Sequence, residues 1–398
     1  MSKTILFATD LNVWSIKKNI GAPSFYKTLE LYNNKGFHIY LYTTEKDCDI
    51  SELKNITILR IPKLEALNIR YLYSFHRTFN YFLYQFIFLY FYLKNKHFKQ
   101  IDLLYGYEIE FIPILHLLSR FFKIPYVSRF QGTILYPLMK RKFWKLRYFP
   151  HYLSIKLKSN LTIMTDDGTK GDFVIEKLRG NLDKVLFLKN GVDFKKYNIA
   201  NVSSSIKKIA NKINEFEKSF ISVSRLQKWK RVDRSLDVYN KYKEYNHNSI
   251  FVIVGDGEVK TDLQKYVWNK NICDVIFVGG LNADEVNYLL SHSDIFLSHY
   301  ELSNVGNPLW EAINNQCLVV TINNGDTGKI IVDNCNGIIS DEKDYIDNVQ
   351  KLINLDEEKI KLILENATKT LKDNVKSWNE RMEIEYHNLL LLLKENCE

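Results

Sequence analysis

Short apolar runs recur along the whole chain, and a longer segment with helical patterning follows each of them. Buried parallel strands look like this because helices cover both faces of their sheet. In the N-terminal half, such runs begin at Ile5, Ile39, Ile56, Leu103, Tyr126 and Leu161. The C-terminal half repeats the pattern at Phe220, Phe251, Val275, Ile295 and Leu318. We therefore predict an α/β protein with two doubly wound parallel sheets.

A polar segment separates the two series of strands. Residues 195–217 are rich in Ser, Lys and Asn, and we predict that they form the interdomain linker. The first domain then covers residues 1–194 and the second covers residues 218–375. Residues 376–398 are predicted to form a C-terminal helix that packs back on the first domain. A chain of 398 residues is long enough for two such cores.

Charge is divided unevenly along the chain. Residues 1–200 carry 31 Lys and Arg against 16 Asp and Glu, whereas the remainder carries 24 against 30. Residues 111–160 hold ten basic and no acidic residues among many aromatic ones, and we expect a helix to cover the basic stretch that follows the strand at Tyr126. Such a surface suits an anionic membrane or a phosphate-bearing ligand. Nucleic acid is the other generic partner, but no nucleic-acid-binding motif accompanies the patch, so we expect none.

One segment raises the question of a membrane span. Tyr81–Leu93 is almost wholly apolar, but its 13 residues are fewer than the roughly 20 that a spanning helix needs. We predict a buried helix, with a helix partly dipped into the bilayer interface as the alternative. The N-terminus lacks an apolar signal segment, and the five cysteines form no CxxC pair. We therefore expect a cytoplasmic protein with reduced thiols, peripheral on the inner face of the membrane.

Basic residues follow the first strand of the second domain. Arg225 comes directly after that strand, and Lys230 lies where the next helix begins. Doubly wound sheets bind ligands at the carboxyl ends of their strands. The two cations can therefore hold a diphosphate and stabilise it as it leaves. A solvated basic surface is the alternative interpretation.

Glycine turns follow the next two strands of the same domain. The first contains Gly255 in a Gly-x-Gly sequence, and the second contains Gly279. Glycine permits tight turns and close approach of a ligand to the backbone. We predict that both glycines contact a bound nucleotide, Gly279 beside the base, although ordinary strand-to-helix turns explain them equally well.

The segment Glu301–Ala312 is the most informative. Asn307 is a good N-cap, and Pro308 fits the first helical position. The loop before this helix is predicted to present backbone N–H groups to a phosphate, and it comprises Ser303, Asn304, Val305, Gly306 and Asn307. Glu311, one turn inside the helix, can reach the hydroxyls of a diol. A Glu in this place also favours the helix dipole, which is the alternative explanation.

In their order and spacing, these motifs resemble glycosyltransferase family 4, a retaining family of the GT-B fold, in which two Rossmann-like domains face each other across a cleft. Arg225 and Lys230 match its phosphate-binding pair, and Asn190–Asp193 matches its N-G-V-D sequence. The family also carries two acidic residues eight positions apart. Glu311 matches the second, but Ser303 stands in place of the first, which leaves Ser303 or the nearby Glu301 to contact the donor sugar.

The first domain resembles the family only in its architecture. Gly21 and Ala22 stand where a Gly-rich loop meets the diphosphate of the donor. Gln131 stands where a His-Gly pair is common, so a catalytic histidine is excluded there and Gln131 is the candidate at that place.

The resemblance implies transfer of a hexosyl group from a UDP- or GDP-sugar to a glycan or polyprenyl-linked acceptor, with retention, in bacterial surface polysaccharide synthesis. It implies no metal, because Arg225 and Lys230 neutralise the leaving diphosphate, and Asp47–Asp49 lies in a charged loop that we do not expect to bind one. Two alternatives stay open. One is a catalytically silent partner subunit that binds sugar nucleotide or glycan, and the other is a GT-B-like sugar-nucleotide epimerase. Ser303 and Gln131 favour the first alternative and argue against the second.

Overall fold

The chain forms two compact units. The computed structural model describes residues 3–11, 24–44, 53–64, 73–95, 101–194 and 197–395. The first unit comprises Met1–Asp166, Lys170–Lys189 and Trp378–Glu398, and the second comprises Asp167–Thr169 and Asn190–Ser377. Each unit is built around one parallel sheet, so the predicted α/β class with two doubly wound sheets is confirmed.

Seven strands form the sheet of the first unit: β1 (Thr4–Thr9), β2 (His38–Thr43), β3 (Ile56–Arg60), β4 (Leu103–Tyr107), β5 (Tyr126–Phe130), β6 (Leu161–Thr165) and β7 (Val185–Leu188). Their order is β3-β2-β1-β4-β5-β6-β7, and all neighbouring strands are parallel. Every residue of β4, β5 and β6 is buried. This burial on both faces explains why the central strands read as continuous apolar runs.

Within the described part of this unit, seven helices connect these strands: α1 (Ser24–Asn34), α2 (Tyr73–Lys94), α3 (Ile112–Phe122), α4 (Leu135–Leu138), α5 (Trp144–Arg147), α6 (Phe149–Lys156) and α7 (Gly171–Arg179). The prediction of one helix over the basic stretch is wrong, because α4, α5 and α6 are separate short helices. Phe143, directly before α5, has a φ of 57°, which interrupts a right-handed helix. Pro150 lies in the first turn of α6, a position that favours the start of a new helix.

The second unit contains a six-stranded sheet: β8 (Lys218–Val223), β9 (Ser249–Val254), β10 (Val275–Gly279), β11 (Ile295–Ser298), β12 (Leu318–Asn323) and β13 (Ile338–Asp341). The strands are parallel and follow the order β10-β9-β8-β11-β12-β13. Its helices are α8 (Ser204–Ile213), α9 (Val232–Lys243), α10 (Lys260–Asn269), α11 (Ala283–Leu290), α12 (Asn307–Asn314), α13 (Thr327–Ile330), α14 (Asp347–Ile353) and α15 (Glu357–Asn374).

The segment that the sequence marks as a linker is largely structured. Helix α8 lies within residues 195–217 and belongs to the second unit. Its residues Ile206, Ala210 and Ile213 are buried in the core of that unit. Because they recur every three or four positions, they form one apolar face, while the Ser and Lys residues occupy the other. The predicted interdomain linker at this place is therefore corrected to an amphipathic helix.

The last helix, α16 (Trp378–Glu395), belongs to the first unit. Trp378, Met382 and Leu389 are buried together with core residues of the first sheet. In the middle of the helix, Glu385 is fully buried and pairs with Arg129 of β5, with 2.8 Å between Nη1 and Oε2. The C-terminal helix is thus attached to the sheet by both apolar and ionic contacts.

Several groups converge on the carboxylate of Glu385. Arg381 pairs with it from the preceding turn. The hydroxyls of Tyr105 and Tyr32 donate to its Oε1 at 2.7 and 3.2 Å. Burial alone would raise the pKa of Glu385, but the guanidinium groups of Arg129 and Arg381 outweigh burial and lower it to about 2. The carboxylate is therefore ionised although it is buried.

Helix α2 contains the apolar segment Tyr81–Leu93. It buries Tyr81, Tyr84, Phe88 and Tyr92 against the first unit, so the predicted buried helix is correct for this face. No helix among the described residues is both long enough and apolar enough to cross a membrane.

Candidate functional site

The loop after β8 carries Arg225 and is held by the Gly-x-Gly turn after β9. The N–H of Ser224 donates to the carbonyl of Val254 at 3.0 Å, and the N–H of Leu226 donates to the carbonyl of Asp256 at 2.9 Å. Gly255 has a φ of 132°, and a Cβ there would lie 1.8 Å from the Ser224 carbonyl oxygen. Position 255 therefore accepts only glycine. The group that approaches its backbone closely is the Ser224 carbonyl of the protein itself, whereas we predicted a ligand there.

Arg225 and Gly279 both have free space beside them. The side chain of Arg225 is exposed, and it has no hydrogen bond or ion pair within the described ranges. Gly279 has a φ of 90°, and a Cβ there would meet only the Lys260 ammonium group, at 4.0 Å. Its carbonyl accepts the N–H of Gly255 at 2.8 Å, which joins the two glycine turns. Their contacts with a nucleotide stay a prediction.

Lys230 lies between two aromatic rings. Its Nζ atom is 4.1 Å from the ring centroid of Trp229 and 3.7 Å from that of Tyr300. Aromatic faces attract a cation, but they do not replace the water that it loses. Burial, followed by the positive charge of Arg225, lowers the pKa of Lys230 to about 7, while Asp167 opposes the shift. Lys230 can therefore change its charge near neutral pH, and a bound anion would favour the charged form.

Hydrogen bonds fix the two rings around Lys230. The hydroxyl of Tyr300 donates to the Val223 carbonyl at 3.0 Å, and its N–H donates to Oδ1 of Asn304 at 2.9 Å. The N–H of Glu301 donates to the Trp229 carbonyl at 2.9 Å. Sequence reasoning missed both Trp229 and Tyr300. The aromatic residue next to a predicted phosphate-binding Lys was the available signal for Trp229, whereas no local signal connected Tyr300 with it.

The polar groups of the loop before α12 are hydrogen-bonded to one another and to neighbouring segments of the protein. The Ser303 hydroxyl donates to the Asp167 carbonyl at 2.8 Å and accepts the N–H of Val305 at 3.1 Å. The N–H of Asn304 donates to Oγ1 of Thr327, and that of Gly306 donates to the Asn304 carbonyl, both at 3.1 Å. Three N–H groups that we predicted for phosphate binding thus already have acceptors. A phosphate would have to share these groups or displace their partners.

Glycines outside the predicted site bring a third loop to Ser303. Gly168 has a φ of 76°, and a Cβ there would lie 2.3 Å from Oγ of Ser303. A Cβ at Gly325 would lie 2.4 Å from the Gly168 carbonyl oxygen. Asp167–Thr169 are part of the second unit. Sequence reasoning missed this contact, although the Asp167-Gly168 pair directly after a strand is a recognisable turn signal.

Helix α12 begins one residue earlier than predicted. Gly306 is the N-cap, and Asn307 is the first helical residue. The side chain of Asn307 does not cap the helix, because its Oδ1 accepts a hydrogen bond from Nδ2 of Asn190 at 3.1 Å. The predicted N-cap is therefore wrong, while the Asn190–Asn307 contact links the N-G-V-D sequence to the start of α12.

Glu311 lies one turn inside α12 and is half-buried. Burial, followed by the charge of Asp193, raises the pKa of Glu311 to about 7. Burial, with the nearby carboxylate of Glu311 as a further cause, raises the pKa of Tyr300. Tyr300 contacts Lys230 directly, and Glu311 lies near enough to Tyr300 to act on it electrostatically.

The two candidates for the sugar contact differ in accessibility. Ser303 is buried and its hydroxyl has two partners. Glu301 is exposed, and its Oε1 lies 3.3 Å from the Arg231 guanidinium. Glu301 is thus the more accessible of the two, although its carboxylate is already in an ion pair.

Gln131 follows β5 in the first unit. Its Nε2 donates to the Tyr107 hydroxyl at 2.9 Å, and its N–H donates to Oε1 of Glu108 at 2.7 Å. Its catalytic role stays a prediction. Gly21 and Ala22 lie outside the described residues, as does Asp47–Asp49. In the parts of the chain that the structure describes, no group of His, Cys, Asp or Glu residues could hold a metal ion.

The second unit thus assembles two cations, a carboxylate and a helix start on residues 225–311. Residues 203–370 match the family model described as Glycosyl transferases group 1. The matched segment contains Arg225, Lys230 and Glu311, and the match supports a glycosyltransferase. A protein of Methanocaldococcus jannaschii named as an uncharacterized glycosyltransferase is 23% identical over 240 residues. That alignment covers 58% of this chain and 64% of the relative, so it spans less than two thirds of the relative's length.

Solved structures extend the likeness to the whole chain. HepE of Anabaena, in complex with UDP-glucose, has a TM-score of 0.72 at 16% identity, over 97% of this chain and 99% of HepE. WaaG, a glycosyltransferase involved in lipopolysaccharide biosynthesis, has a TM-score of 0.71 at 16% identity, over 96% and 98%. The predicted GT-B fold is therefore confirmed.

Proposed function

We propose that the protein is a retaining glycosyltransferase that moves a hexosyl group from a UDP- or GDP-sugar to an acceptor hydroxyl. The main support is Lys230, a cation held between Trp229 and Tyr300 without a carboxylate in ion-pair distance among the described residues. The open guanidinium of Arg225 lies close enough to lower its pKa. Two such cations at the end of a parallel strand suit the diphosphate of a nucleotide sugar.

The proposed reaction breaks the bond between the anomeric carbon and the diphosphate, and it forms a bond from that carbon to the acceptor oxygen. The acceptor proton passes to the departing diphosphate, which stays on the same face of the sugar, so configuration is retained. Arg225 and Lys230 stabilise the negative charge that develops on the diphosphate. Glu311 accepts hydrogen bonds from hydroxyls of the donor.

We propose that this site works without a metal, because two cations face the leaving group. Transfer should then continue in EDTA at the rate measured without it. Loss of transfer in EDTA and its return with Mg²⁺ would contradict metal independence while leaving the proposed donor class intact.

For the acceptor, we propose a glycan or polyprenyl-linked molecule of surface polysaccharide synthesis, used at the inner face of the cytoplasmic membrane. Nine of the ten basic residues in 111–160 are exposed, and only Arg129 is buried. Exposed cations attract an anionic membrane surface. A Lys140/Arg141/Lys142/Lys145→Glu variant should therefore bind anionic vesicles more weakly than wild type at low salt. Unchanged binding would contradict this use of the basic stretch.

Mass spectrometry tests the activity. The protein is incubated with a panel of UDP- and GDP-sugars and a polyprenyl-linked acceptor, with Arg225→Ala as the inactive control. A product heavier than the acceptor by one hexosyl unit, with the anomeric configuration of the donor by NMR, supports the proposal. Donor binding without any product would favour a silent partner subunit. Conversion of the donor sugar without an acceptor would favour an epimerase.

A further inference from the structure

Helix α2 is apolar on two opposite faces. Its inward face is buried in the core of the first unit and includes Tyr84, Phe88 and Tyr92. Its outward face, which we call the aromatic face, consists of Phe75, Phe79, Phe82, Phe86, Tyr90 and Leu93. These side chains are 44% to 72% exposed. Because they recur every three or four residues, they form one stripe about 27 Å long.

The neighbouring helices extend this apolar surface. On α3, Leu117 is 60% exposed and Phe121 is 81% exposed. The adjacent Phe122 connects α3 to α2, with its ring centroid 6.1 Å from that of Tyr92. Single exposed apolar residues are common, but a stripe of exposed apolar residues such as the aromatic face marks an interaction surface.

All the charges on these two helices are positive. Arg77 and Lys94 are the only charged residues of α2, and both are exposed. Arg120 and Lys123 flank the exposed aromatic residues at the end of α3 and are exposed as well. Glu110, whose charge interacts with that of Arg77, is buried. Exposed aromatic residues among exposed cations are typical of protein surfaces that enter an anionic lipid interface.

The aromatic face also connects to the basic stretch. The ring of Phe149 lies 5.7 Å from that of Phe82 on α2. Next to it, α5 exposes Leu146 together with Lys145 and Arg147, and Phe143 before α5 is 71% exposed. The apolar and the basic surfaces are therefore neighbours on one unit.

We propose that the aromatic face of α2 inserts into an anionic lipid bilayer, with the helix axis parallel to the membrane plane. A second copy of this chain is a poorer occupant, because pairing two such faces would bring like charges together. The proposal adds apolar insertion to the electrostatic attraction of the basic stretch. It does not depend on sugar transfer, so its test can fail while the proposed reaction holds.

Co-sedimentation with vesicles of phosphatidylglycerol and phosphatidylcholine separates the two contributions. At low salt, we expect the Phe79/Phe86/Tyr90→Ser variant to bind at least tenfold more weakly than wild type. At about 0.5 M NaCl, electrostatic attraction is largely screened. Wild type and the Lys140/Arg141/Lys142/Lys145→Glu variant should then retain equal residual binding, and the Ser variant should retain none.

Trp268→Ser is the matched control, because Trp268 is an 82% exposed aromatic residue of the second unit. This variant should bind vesicles like wild type. The thermal melts of both Ser variants should coincide with that of wild type, since exposed rings contribute little to the core. Wild-type vesicle binding by the α2 variant would overturn the proposal. So would a dimer in light scattering that the α2 variant abolishes, since a second copy would then occupy the face.

Discussion

A cation is fully buried in the first unit and half-buried in the second, and the two cations differ in their partners. Burial alone would lower the pKa of Arg129 in the first unit, but Glu385 raises it, so both groups stay charged within an ion pair. Lys230 in the second unit lies between aromatic rings, and burial lowers its pKa to about 7. A buried cation that has a carboxylate supports the fold, whereas one without a carboxylate is available to an anionic ligand.

Breaking the ion pair of the first unit should have the largest effect. Glu385→Gln leaves Arg129 and Arg381 buried without a counter-charge, and this typically lowers the free energy of unfolding by about 3–5 kcal/mol. Urea unfolding measures the loss. Glu383→Gln on the same helix is the control, because Glu383 is exposed and pairs with Lys35 at 2.7 Å. The control should lose less than about 1 kcal/mol.

The same ion pair predicts a pH dependence. The pKa of Glu385 is lowered to about 2 in the folded protein, so its stabilising contribution is present above the unfolded pKa of roughly 4.3. As pH falls from there towards 2, the contribution is lost, and the difference between wild type and Glu385→Gln should shrink. A constant difference across this range would show that the ion pair is not its cause.

Removing a cation of the second unit should affect transfer rather than folding. Arg225→Ala and Lys230→Ala should each reduce kcat/KM about a hundredfold, which corresponds to a loss of transition-state stabilisation on the order of 3 kcal/mol. The reason is that each substitution removes a positive charge that stabilises the leaving diphosphate. Lys228→Ala, an exposed lysine of the same turn, is the control and should keep wild-type kinetics. Thermal melts of all three should match wild type. Full activity in Arg225→Ala or Lys230→Ala would end the diphosphate assignment.

The affinity for UDP should depend on the protonation of Lys230. The pKa of Lys230 is about 7 in the free protein. Above pH 7, its amine is therefore largely neutral and must take up a proton from solution when the diphosphate binds. The affinity should fall by up to about tenfold per pH unit as pH rises above 7. Calorimetry at pH 8 in two buffers of different ionisation enthalpy measures the proton uptake. Lys230→Arg should bind without uptake, because arginine stays charged. Equal uptake in this variant would assign the proton to another group.

The smallest expected effect concerns Glu311. Glu311→Gln should weaken UDP or GDP binding by about 1 kcal/mol, since it replaces an accepting carboxylate with a weaker acceptor. The pKa of Glu311 is raised to about 7 in the folded protein. The free energy of unfolding therefore decreases as pH rises towards 7, because the carboxylate ionises more readily in the unfolded chain. The variant should therefore melt no lower than wild type at pH 8. If calorimetry shows an unchanged affinity for UDP or GDP, Glu311 has only a structural role at the start of α12.

The sequence predicted elements that carry a continuous local pattern. The central strands are apolar throughout because both of their faces are covered, so β4, β5 and β9 were readily found. The edge strands β7 and β13 were missed, although β3 and β10 at the opposite edges are as little buried as β7 and were found. Both missed strands have only four residues, and β13 ends in Ser340 and Asp341. Helix α8 was taken for a linker because its outward face is rich in Ser and Lys.

Those parts of the candidate site that depend on local sequence were also predictable. Arg225 and Lys230 follow a strand directly, so their position came from the chain itself. The contact between Lys230 and Tyr300 joins residues far apart in the sequence, and the hydrogen bond of Ser303 to Asp167 is equally remote. The first contact depends on β8 and β11 being neighbours in the sheet, whereas the second brings the turn after β6 into the second unit. No local pattern reveals either arrangement.

The return of α16 to the first unit has a consequence for synthesis on the ribosome. Trp378, Met382 and Leu389 complete a core whose other members are made hundreds of residues earlier. The first unit therefore cannot finish folding when its own strands emerge, and it must wait until α16 has been synthesised. Most of the second unit, in contrast, lies within one continuous stretch, Asn190–Ser377. The part of the chain that is synthesised first is thus the part that is completed last.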